Sequence, residues 1–76
     1  MTHQQARAKS LLDDDMLRRI FDTLERDAMK QIIAAPLGDD DARRNLSGEV
    51  RAIQSVRRKL HQIASGHVTL PEDTEA

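Results

Sequence analysis

Two stretches of this chain carry apolar residues at helical spacing, and each begins just after a run of three aspartates. In the first, Met16, Leu17, Ile20, Phe21, Leu24, Ala28 and Ile32 recur at steps of three and four, which lays them along one face of a helix. Asp22, Arg26 and Lys30 fall on the other side. In the second, Leu46, Val50, Ile53, Val56, Leu60 and Ile63 repeat the spacing. The pattern predicts helices over about 14–34 and about 40–65. Pro36-Leu37-Gly38 separates them: a proline biases its predecessor away from helical backbone, and Gly38 permits a tight turn. So short a connection makes the helices antiparallel neighbours.

The aspartate runs, Asp13-Asp14-Asp15 and Asp39-Asp40-Asp41, explain the two starts. An aspartate ahead of a first helical turn accepts a hydrogen bond from its free N–H groups, and carboxylates there suit the positive end of the helix dipole. Asp13 is the expected cap of the first long helix, with Leu12 placed to staple onto Leu17. Asp39 or Asp40 caps the second. Acid-then-base pairs at i,i+4 should brace both exposed faces: Asp14 with Arg18, Asp15 with Arg19, Asp22 with Arg26, Asp39 with Arg43 and Asp40 with Arg44. Residues 3–12 are polar and helix-permissive, and allow either a separate short helix or one continuous helix from about residue 3. Gly48 costs about 1 kcal/mol against alanine inside a helix, which implies a close neighbour or a loosened turn. Gly66 is placed to end the second helix. The expected fold is therefore all-α: an antiparallel two-helix hairpin over 1–66, with the N-terminal segment left open. Residues 67–76, acidic at their end, read as a flexible tail on which Val68 and Leu70 are the anchors available to a partner.

Composition narrows the function. Seventy-six residues make one domain with a modest core. Two helices cannot cover the flanks of both stripes, and Met16, Phe21, Met29, Ile33 and Val56 are the expected surplus. A partner or oligomer interface is accordingly expected on Met16, Phe21, Leu24, Ala28 and Ile32 of the first helix and on Val50, Ile53, Val56 and Leu60 of the second. The partner is another protein or a second copy. The single aromatic, Phe21, disfavours stacking on nucleic-acid bases. A basic ridge remains: Arg44, Arg51 and Arg58 are seven apart, joined by Arg57 and Lys59, and suit phosphate or carboxylate contacts. The net charge of −1 decides nothing here.

Catalytic chemistry finds no residues to carry it. His3, His61 and His67 lack zinc-site spacing, no phosphate-cradling glycine loop occurs, and the serines have no base partner at readable spacing. Neighbouring aspartates in a first turn diverge, so capping explains them better than a cation site. The reading is of a non-enzyme with no cofactor, no metal and no small-molecule substrate. Without cysteine, a signal-peptide pattern or a membrane-length apolar run, it is expected in the cytoplasm of the producing cell and away from membranes.

Leu11-Leu12-Asp13-Asp14, Phe21-Asp22-Thr23-Leu24-Glu25, the acidic turn, Val50-Arg51-Ala52-Ile53 and Val56-Arg57-Arg58-Lys59-Leu60 resemble small helical-hairpin proteins of tailed phages and prophages. These are encoded among head-assembly and packaging genes. The resemblance covers roughly residues 8 to 66 and implies a structural or assembly role, with virion association, and no catalytic residue. Two alternatives stand beside it: a nucleic-acid-binding oligomer such as a small packaging subunit, and a phage-encoded inhibitor or adaptor of a host protein.

Overall fold

The computed structural model describes residues 2–71, and its regular structure is entirely helical: α1 (His3–Asp13), α2 (Asp15–Ala34) and α3 (Asp40–Ala64). Of the two alternatives open at residues 3–12, the separate helix is found. Asp14 divides it from α2 with extended backbone, φ −72° and ψ 116°. A capping box opens α1. The Thr2 hydroxyl accepts from the Gln5 backbone N–H at 3.1 Å, and the Gln5 side-chain carbonyl accepts from the Thr2 N–H at 2.8 Å.

The break falls one residue later than expected. α1 runs through Asp13, and the Asp14 N–H still bonds the Leu11 carbonyl at 3.2 Å. Asp14 rather than Asp13 therefore caps α2, its carboxylate accepting from the Leu17 N–H at 2.9 Å. Leu12 lies inside α1 and packs against the cluster of Ala8, Ile63 and Ala64, so it does not stand at the stapling position. Asp39 caps α3 by accepting from the Ala42 N–H at 3.1 Å. The turn before it closes with the Asp39 N–H on the Pro36 carbonyl, and Gly38 supplies the left-handed backbone (φ 93°) that its third position requires.

Capping also redistributes the expected ion pairs. With Asp14 and Asp39 occupied by backbone, Arg18 pairs with Asp15 at 2.9 Å and Arg43 with Asp40 at 3.8 Å, both at i,i+3. Arg44 takes Asp41 instead of Asp40. Only Asp15 with Arg19 keeps the i,i+4 form, at 3.7 Å. Asp22 turns from Arg26 to Arg57 of α3.

Cross-helix contacts fix the arrangement. Arg43 donates to the Ala35 carbonyl at 2.9 Å, while Arg57 meets Asp22 and Glu25, so α2 and α3 run in opposite senses. At the other end Ala8 packs on Ile63 and Ala64, and Leu12 and Leu60 flank them. One long helix thus carries both shorter ones, which touch each other only sparingly. Among the described residues the buried ones are Ala8, Ala28, Ile63 and Ala64, mostly alanines, whose small size lets helices approach closely.

α3 ends in a Schellman motif. The His67 N–H reaches the Gln62 carbonyl at 2.9 Å and the Gly66 N–H reaches Ile63 at 3.0 Å, with Gly66 at φ 85°. The expected flexible tail is not free at 67–71. Val68 packs on the α1–α3 cluster, and Gln4 clamps Leu70 twice: its amide donates to the Leu70 carbonyl at 3.0 Å and its carbonyl accepts from the Leu70 N–H at 2.8 Å. The remainder of that tail, 72–76, lies outside the described residues.

The two glycines inside and beyond α3 should respond oppositely to alanine. A Cβ at Gly48 meets nothing within 4 Å, so no neighbour in the chain explains this glycine. A Cβ at Gly66 would stand 2.7 Å from the Gln5 amide nitrogen, on backbone that alanine resists. Urea titration should show Gly48→Ala more stable by about 1 kcal/mol and Gly66→Ala less stable by roughly 1–2 kcal/mol.

Candidate interaction surface

Packing against α3 uses only part of the apolar periodicity of α2. Ala28 is 4% exposed and is consumed within the chain, whereas Phe21 and Ile32 are half-buried. The flank beside this inner face is open. Met16, Ile20 and Leu24 stand at i, i+4 and i+8 with 64%, 46% and 48% of their surfaces exposed. Together with Arg19 and Thr23 they line a shallow groove of about 280 Å³. Met29 and Ile33 are exposed on another side of the helix, ahead of an almost bare Leu37 in the turn. On α3, Val56 is exposed, while Val50, Ile53 and Leu60 are half-buried, Leu60 against the Ala8–Ile63–Ala64 cluster.

The sequence-derived interface set therefore splits. Met16, Leu24 and Val56 are accessible, Ala28 is not, and the remainder are shared between the interior and solvent. Ile20, which the spacing puts on the same apolar face as Met16 and Leu24 but which lies outside the expected interface set, sits on the open flank beside them. The spacing of Met16, Ile20 and Leu24 already held that signal, since an i+4 ridge drifts steadily around a helix and leaves a straight contact line.

The basic set splits as well. Arg57 is occupied: its guanidinium stacks over the Phe21 ring at 5.2 Å, bonds Asp22 at 2.5 Å and approaches Glu25 at 3.7 Å. It is a carboxylate contact, made within the chain. Arg44 is held by Asp41 at 3.2 Å. Arg51, Arg58 and Lys59 are exposed and make no ion pair among the described residues.

A second concavity opens where α1 and α2 diverge. Its volume is about 500 Å³. Leu11, Leu12, Leu17, Phe21 and Leu60 form the apolar lining, and Lys9, Asp13, Arg18, Asp22, Arg57 and His61 supply the polar lining. Among the described residues no cluster of histidine and carboxylate side chains could hold a metal, and no helix is long and apolar enough to cross a membrane.

The Arg57 contact has a pH signature. The hydrogen bond from Arg57 is the main cause holding the Asp22 carboxyl below its usual range, opposed by desolvation and helped by the fields of Arg57, Arg26 and Arg18. A carboxyl whose folded pKa is depressed contributes stability above its unfolded pKa and loses it as pH falls through the folded value. In acid titrations followed by circular dichroism, the wild-type protein should lose stability below about pH 4 more steeply than Asp22→Asn. Arg57→Ala should lower stability at neutral pH and flatten the same acid limb.

Comparison with known proteins finds no family model, no curated protein and no solved structure that matches this chain.

Proposed function

We propose that this chain is a non-enzymatic docking module that binds another protein through the open flank of α2. The observation that carries this reading is the row Met16, Ile20, Leu24, large apolar side chains about half exposed or more, in a chain whose buried set among the described residues is three alanines and one isoleucine. Contiguous exposed apolar surface at helical spacing is the form in which amphipathic helices are received. A place among phage head-assembly components is part of the proposal and rests on the sequence resemblance alone.

One observation favours a second reading. Arg51, Arg58 and Lys59 are free of ion pairs among the described residues, and Glu49 is the only acidic residue between 45 and 71. That stretch could follow a phosphate backbone.

Leu24→Asp and the double variant Arg58→Glu with Lys59→Glu separate the two. Immobilised wild-type protein should retain a defined partner from lysate of the producing cell. The double variant should retain it too, and Leu24→Asp should lose it while melting within a few degrees of wild type. Co-migration with duplex DNA that falls steeply with salt and vanishes in the double variant would instead establish the second reading.

A further inference from the structure

The open flank of α2 has an electrostatic border. Arg19, Arg26 and Lys30 are spaced by seven and four residues, so they run along one side of the Met16–Ile20–Leu24 row, and all are exposed. Arg19 lines the groove itself and has only a 3.7 Å contact to Asp15, which is shared with Arg18. Arg26 and Lys30 make no ion pair among the described residues, and the nearby Asp22 is taken by Arg57. Asp27 is the carboxylate set into this side of the helix, one turn beyond Leu24.

A second copy fits this border poorly. The antiparallel two-fold register that matches the apolar rows lays Met16 over Leu24 of the other copy and Ile20 over its own mate. In that register like borders face each other. Arg19 then lies about 3 Å along the axis from its counterpart, and the carboxylate that comes level with Arg26, Asp15 of the second copy, is already held by Arg18 and Arg19. A lipid surface is a poorer match too, because Asp27 would enter it with the apolar row and no tryptophan or tyrosine is present to anchor at the interface.

We infer that the occupant of this flank is an amphipathic helix of another protein, with an apolar stripe bordered by carboxylates. The inference rests on the docking reading and specifies its partner. The apolar row seats the stripe, and the three cations select its acidic border and its direction.

Two designed helical peptides test it, with one leucine stripe bordered by glutamate in the first and by lysine in the second. Fluorescence anisotropy should show the glutamate peptide binding wild-type protein at least tenfold more tightly. Arg19→Glu with Arg26→Glu and Lys30→Glu should reverse that preference at unchanged helicity. Equal binding of both peptides, abolished by Leu24→Asp, would keep docking and overturn the acidic partner. Binding of neither peptide overturns the acidic partner as well, while docking stands or falls by the lysate comparison. A dimer in light scattering that Leu24→Asp dissociates would give the flank to a second copy. Tighter binding to phosphatidylserine vesicles than to the glutamate peptide would give it to a membrane.

Discussion

A single helix, α3, carries both of the others, and the extended backbone at Asp14 is what permits it. A continuous helix from residue 3 to residue 34 would keep one inclination along α3 and hold only one region of it closely. Breaking at Asp14 lets α1 settle with Ala8 on Ile63 and Ala64, while α2 takes its own line past Arg57 and down to the turn. The break is inexpensive because Asp14 serves both helices, its N–H closing α1 and its carboxylate opening α2. The concavity between the two short helices follows directly, since helices that diverge over a shared floor leave a gap.

Alanine contacts hold helices close but remove little apolar area from water, so the larger side chains fall to the borders. Arg57 compensates on one border. Its aliphatic stem and guanidinium cover Phe21, and two carboxylates of α2 face it. On the opposite border nothing equivalent covers Ile20 and Leu24. The side of α2 closed by an ion network and the side left open are therefore two results of one packing choice. Gln4 does for α1 what Arg57 does for α2. By gripping both backbone groups of Leu70 it holds the segment that carries Val68 against the small cluster.

The two long helices, the turn between them and most boundaries were legible because they depend on local chemistry, whereas the pattern left residues 3–12 open between a separate helix and a continuous one. Pro36, Gly38, Gly66 and the aspartate runs act within a few residues of themselves, and Thr2 with Gln5 spelled a capping box that the pattern alone would have supported. Legibility failed where two local solutions competed. Asp13 and Asp14 are equivalent caps by composition, and only the docking of Leu12 on α3 chooses between them. Asp22 had a sequence partner in Arg26 and a spatial one in Arg57, and register decides that contest. The clamp from Gln4 to Leu70 spans nearly the whole chain and leaves no periodic trace. For the candidate surface, periodicity identified which residues are apolar but not which flank α3 would cover. Ala28, expected at the interface, is covered for that reason, and Ile20, not among the expected interface residues, is left open.

Magnitudes bound what the open flank can do alone. Fully burying a large aliphatic side chain is worth about 1.5–3 kcal/mol, and Met16, Ile20 and Leu24 have roughly half or more of that still to gain. Their sum, on the order of 2–5 kcal/mol, barely meets the low end of the roughly 4–15 kcal/mol that association costs in lost freedom. The apolar stripe of a partner helix is buried in the same contact and adds a like amount, so this row supports binding of modest strength. Met29, Ile33 and Leu37 offer further area, but on a different side of α2, out of reach of a helix lying along the first flank. A partner that engages both must wrap the end of α2 near the turn. Several copies acting together would strengthen the contact by another route, since the second contact becomes intramolecular and the cost of association is met once.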